Sequence, residues 1–178
     1  RAPCIFEPSA RRAFASPLKV LDFSSLWAGP LCGGVFAAMG AAVVKVESLE
    51  RPDPTQHTTP LFDKRLNGGK LRRTLALSTD EGRTALLEQI SRADVIITGA
   101  RARALSELGF TPESLAPGAV WIAVTGHGYE SARVAFGDDA AASGGLVRWE
   151  DDAPHFAGDA LADPLTGLAA ANAALVLI

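Results

Sequence analysis

"LKVLDFSSLWAGPLCGGVFAAMGAAVVKVE" (18–47) decides the fold. Residues 18–23 are an apolar run of strand length, residues 28–40 are small and helix-compatible and end at Gly40, and residues 41–47 return to β-branched side chains. Strand, helix and strand within so short a span is the unit of a parallel sheet joined by right-handed crossovers.

The alternation continues along the chain. Residues 72–78 predict a strand, Ser78 and Glu81 form a capping-box pattern that opens an amphipathic helix over 78–93, and "ADVIIT" (93–98) is the next strand. A short helix over 100–110 stops at Gly109; Thr111 followed by Pro112 reads as a fresh helix start, and 119–126 returns as a strand. The segment 48–70 carries three prolines and reads as a long polar loop over the sheet edge. After a small-residue segment (137–147) and a turn-rich acidic stretch, the final helix is expected from Pro164. The sum is an α/β fold, an open and mainly parallel sheet with helices on both faces, in which ligands collect at the carboxyl ends of the strands.

Composition narrows the function. With 178 residues, 48% of them hydrophobic, the chain fits a soluble globular domain, and a net charge of -3 gives no reason to expect nucleic-acid or anionic-membrane partners. No apolar run reaches the length of a membrane span and the start lacks a signal peptide's apolar core, so a cytoplasmic location is expected. Cys4 and Cys32 stand far apart in no metal-binding spacing and read as reduced thiols. The chain starts at Arg1 and stops in "AALVLI" within a helical pattern, which leads to the expectation of a fragment with residues 1–16 as a leader or linker.

Several residues can carry chemistry, and each also has a plain structural reading. Gly29, Gly33 and Gly34 follow a strand and open a helix, but they do not make GxGxxG and Pro30 removes a donor, so close packing or backbone approach to a ligand is preferred to dinucleotide binding. "NGGKLRR" (67–73) lacks P-loop spacing, yet Lys70, Arg72 and Arg73 form a basic cluster that either reaches phosphate or is a solvated turn; Arg101 and Arg103 are weighed the same way. His155, Asp159 and Asp163 are spaced by four, but Pro154, Gly158 and Pro164 interrupt any shared helix face and no metal is expected. His127 is either a general base or an ordinary loop imidazole. Asp163 followed by Pro164 has the pattern of an N-cap, and local spacing leaves cap and chemical role both open.

The set "KVLDFSSLWAGPLCGGVFAAMGAAVVKVES", "LNGGK", "LALSTDEGRTALLEQISRADVII", "ALSELGFTPESLAPGAVWIAVTGHG" and "LADPLTGLAAANAAL" resembles, in order and spacing, the N-terminal half of a class III CoA-transferase over residues 17–178. The resemblance implies a Rossmann-like domain from a longer fold whose two subunits interlock, as a homodimer or a fused pseudo-dimer. It implies transfer of coenzyme A between an acyl-CoA and a carboxylic acid, with Asp163 as the nucleophile that passes through an aspartyl-CoA thioester. It places CoA contacts on Ser25, Leu26, Trp27 and Gly29 in the turn after the first strand of this unit, on Asn67 and Lys70, and on Arg101. The helix dipole at Asp163 leads to the expectation of a carboxylate kept ionised near neutral pH.

Three departures bear on this. Residues 98–103 keep only the arginine at 101 of the family's Glu-Asn-Phe-Arg-Pro-Gly stretch. Racemase members carry a histidine at the place that falls on Asp138, with Asp139 keeping the following aspartate; a second carboxylate is a poor substitute for imidazole, so transferase is preferred to the α-methylacyl-CoA racemase alternative. The chain is about half the family's length, which leaves a further alternative, a catalytically inactive CoA-binding half of a fused tandem protein.

Overall fold

The computed structural model describes residues 4–6, 17–111 and 118–178, with the side chains of Cys4 and Phe6 left aside. Six strands form one sheet in the order β1-β6-β5-β2-β3-β4. These are β1 (Cys4–Phe6), β2 (Lys19–Phe23), β3 (Ala42–Ser48), β4 (Leu71–Leu75), β5 (Val95–Thr98) and β6 (Val120–Ala123). The last five run parallel; β1, from the stretch expected as leader or linker, pairs antiparallel with β6 at the edge, Ile5 opposite Ile122.

The helices are α1 (Ala28–Ala38), α2 (Thr55–Thr58), α3 (Pro60–Asn67), α4 (Asp80–Arg92), α5 (Ala102–Glu107), α6 (Gly137–Ser143) and α7 (Ala162–Leu177). Alternation along the strands splits the core. Val20, Val43, Ile97 and Ile122 point to the face covered by Cys32 and Phe36 of α1 and the alanines of α7. Leu21, Val46, Ile96 and Trp121 point to the opposite face, covered by Leu86 and Ile90 of α4 and Leu105 of α5. Both faces of the sheet are thus buried, as a parallel sheet requires.

The small residues of α1 let it lie against its neighbours. A Cβ on Gly33 would stand 2.7 Å from Asp22 Oδ2 of β2, and one on Gly34 would stand 2.8 Å from the Leu66 carbonyl of α3. Gly167 does the same for α7: a Cβ there would lie 2.5 Å from the Ala28 carbonyl, so the two helices pack at their N-terminal ends through backbone.

Several expectations are corrected. Segment 48–70 holds α2 and α3 rather than an open loop, because buried Asp53, Thr55 and Asp63 organise it from within. The α4 cap is Thr79, whose hydroxyl accepts from the Gly82 amide at 3.0 Å, while the Ser78 hydroxyl donates to Glu50 instead. The acidic stretch before the last helix is a hairpin, β7 (Val147–Glu150) with β8 (Ala153–Phe156), turning through Asp151 and Asp152 at φ of 50° and 58°. The expected helix start at Pro112 lies outside the described residues.

Candidate active site

The strand order reverses at β2, whose neighbours β3 and β5 are reached by crossovers leading in opposite directions. At such a switch point the connections leaving two adjacent strand ends diverge and open a crevice. A cleft of about 370 Å³ lies there, lined by Ser25 and Leu26 after β2, Arg101 after β5, Gly137 of α6, and Asp163 and Thr166 of α7.

Both turns that deliver side chains to this cleft hold a non-glycine residue in the left-handed region. Leu26 has φ of 70°, and Ala160, three residues before Asp163, has φ of 33°. Such backbone persists only where surrounding contacts over-determine it. At Leu26 those contacts are two buried ion pairs. Lys45, fully buried, donates to the Ser24 carbonyl at 2.8 Å and to Asp53 Oδ2 at 3.1 Å; Asp53 Oδ2 also accepts from the Leu26 amide at 3.3 Å. On the other side, Asp22 accepts from the Ser24 hydroxyl and, at 2.6 Å, from Lys70.

Lys70 is therefore committed inside the protein. Its ammonium, 0% exposed, donates to Asp22, to the Pro30 carbonyl at 2.6 Å and to Asn67 Oδ1 at 2.8 Å, and burial pulls its pKa below the usual lysine range against the opposing pull of Asp22. Asn67 is buried beside it and donates to Asp63. The pattern in "NGGK" placed both residues at a ligand; neither lines the cleft, because a lone basic residue in sequence gives no sign of a carboxylate 48 positions earlier. Arg72 is likewise taken up by Glu47 and Asp63. Trp27 stands outside the lining, edge-to-face with Phe62 at 5.0 Å. Ser25, Leu26, Gly29, Arg101 and Asp163 do come together on the cleft.

Two arginines that sequence reading passed over join them. Arg51, after β3, and Arg133, after β6, line the same cleft as Arg101, all three exposed and outside every ion pair among the described residues. The signal available was position: each follows the carboxyl end of a parallel strand.

Asp163 is not an N-cap. The cap position is Leu161, no side chain caps α7, and Asp163 is the second residue of a helix that begins at Ala162 rather than Pro164. Its carboxylate lies against Gly137 at the start of α6. Burial pushes its pKa above the usual carboxylate range, Asp138 and then Asp159 add to the rise, and a backbone hydrogen bond from Ala28 partly opposes them. Desolvation and two like charges outweigh that hydrogen bond here. Cys32 is a buried free thiol whose pKa burial pushes up to about 12, an inert position.

A doubly wound α/β domain with an arginine-rimmed cleft and a half-buried carboxylate at its switch point is the class these features define. Residues 16–178 match the profile of CoA-transferase family III, and the chain belongs to that family. It is 32% identical over 127 residues to the cinnamoyl-CoA:phenyllactate CoA-transferase of Clostridium sporogenes, covering 64% of this chain and 31% of that one. It is 29% identical over 177 residues to the succinyl-CoA–D-citramalate CoA-transferase of Chloroflexus aurantiacus, covering 90% and 44%. Among solved structures, a CAIB/BAIF family protein from Brucella suis superposes with a TM-score of 0.83 at 28% identity, over 90% of this chain and 48% of that one. The chain thus spans less than half the length of these relatives. Among the described residues no helix is long and apolar enough to cross a membrane.

Proposed function

We propose that this chain is the nucleophile-bearing part of an enzyme that moves coenzyme A from an acyl-CoA to a carboxylic acid. The observation that carries the reading is Asp163: a carboxylate half-buried in the wall of a ligand-sized cleft, with the Ser25–Leu26 turn and three arginines around it. An ionised oxygen of Asp163 attacks the acyl carbon, the C–S bond breaks and CoA leaves as thiolate, giving a mixed anhydride. The thiolate then attacks the aspartyl carbonyl, releasing the donor acid and forming an aspartyl-CoA thioester. The acceptor carboxylate attacks that carbonyl, the thiolate leaves and then attacks the acceptor acyl carbon, which restores Asp163. Each step exchanges one activated carbonyl for another, so the thioester's free energy is retained.

In this reading Arg51, Arg101 and Arg133 meet the phosphates of CoA as forked donors, with backbone of the Ser25–Leu26 turn beside the ligand. Lys70 and Asn67, placed on CoA by resemblance, act one step back by fixing that turn through Asp22 and Ser24. The proposal extends to a homodimer or a fused pseudo-dimer that works in the cytoplasm.

The test is mass spectrometry of the full-length protein after incubation with a panel of acyl-CoAs. A CoA adduct on the peptide containing Asp163, removed by hydroxylamine and absent from Asp163→Asn, is expected. Turnover by Asp163→Asn at the wild-type rate would show that another residue is the nucleophile.

A further inference from the structure

Helical glycines in this protein mostly serve framework packing: Gly33 clears Asp22 and Lys70, Gly34 clears the Leu66 carbonyl and Gly167 clears the Ala28 carbonyl. Gly137 is different. A Cβ built there falls far inside contact distance of Asp163 Oδ2, and the next two atoms it meets are also Asp163's, Cγ at 2.6 Å and the amide nitrogen at 3.4 Å. Backbone conformation supplies no other reason for glycine, since Gly137 opens α6 and is not among the residues of positive φ. At such a position alanine is the better helix former. Gly137 is buried, and both it and Asp163 line the cleft.

We propose that Gly137 is a positioning residue for Asp163: its missing side chain is the recess that holds the carboxylate at the wall of the cleft, and any Cβ there displaces the reacting oxygens. The inference rests on the reading of Asp163 as nucleophile. The recess accounts for how the carboxylate reaches this place, since Oδ2 occupies the volume that a side chain on the first residue of α6 would fill. A shift of about 1 Å at a reacting group costs on the order of a hundredfold in rate.

The experiment compares wild type, Gly137→Ala, Asp163→Ala and the double variant, with Asp163→Asn as the chemical control, all in the full-length protein. Gly137→Ala is expected to lower kcat on the order of a hundredfold while KM for acyl-CoA stays within about twofold, the split of a residue that acts only on the reacting group. In melting curves, Gly137→Ala should be more stabilising in the Asp163→Ala background than in wild type, because only wild type holds the side chain it strikes. That background also keeps the comparison readable if Gly137→Ala alone folds poorly. Wild-type kcat in Gly137→Ala, or equal melting shifts in the two backgrounds, overturns the proposal. If instead Asp163→Asn retains turnover, the nucleophile reading fails, and the melting cycle still decides whether Gly137 positions Asp163.

Discussion

A carboxylate acts as a nucleophile only when ionised, and the surroundings of Asp163 raise its pKa above the usual carboxylate range. Burial acts first, Asp138 second and Asp159 third, with the Ala28 amide pulling the other way. Because the folded-state pKa lies above the unfolded one, the stability tied to the protonated acid is complete below the usual carboxylate range and is lost as pH rises through the elevated value. Asp163→Asn, which keeps the neutral shape at every pH, should therefore melt higher than wild type near neutrality, and the gap should close as pH falls below the ordinary range. Melting curves across pH check this; equal melting temperatures at neutral pH would contradict it. The same sign governs activity. Asp138→Asn removes one of the like charges, so the acid limb of the kcat profile should move to lower pH, and by less as salt is added, since Asp138 is exposed.

At the scale of elements, α1 and the turn before it are set by groups that no local pattern reveals. The run 18–47 made strand, helix and strand legible because apolar spacing is local, and the small residues of α1 signalled close approach. Asp22, Lys45 and Lys70 were not legible as a buried network, since their ion-pair partners lie 8 and 48 residues away and charge in a sequence looks the same whether solvated or enclosed. The β7–β8 hairpin was missed for a related reason: its turn uses Asp151-Asp152 where Asn-Gly or Asp-Gly is the common signal. Two outcomes follow from the network. Lys70→Met leaves Asp22 buried without its cation, and unfolding in urea should show a loss of about 3–5 kcal/mol. Leu26→Gly removes a left-handed strain of about 1–2 kcal/mol, so it should hold or raise stability while weakening CoA affinity through the loosened turn.

The whole molecule brings together what the chain keeps apart. Arg51, Arg101 and Arg133 belong to three separate connections, after β3, β5 and β6, and meet at one cleft because parallel strands point all their carboxyl ends the same way. Asp163 was marked in the sequence by resemblance and Arg101 by its place after a strand, but convergence is a property of strand order, which periodicity does not encode. If the arginines read phosphate, CoA must lose affinity in each of Arg51→Ala, Arg101→Ala and Arg133→Ala. These are exposed charges, so each loss should be about 1 kcal/mol, roughly fivefold in Kd at low ionic strength, and shrink as salt is added. Calorimetric titration of the full-length protein with CoA measures it. Pantetheine, which carries the thiol arm without the nucleotide phosphates, separates charge recognition from general damage to the cleft: its affinity should be the same in wild type and in all three variants, and a matching loss for pantetheine would mean that the arginines shape the cleft instead of binding phosphate.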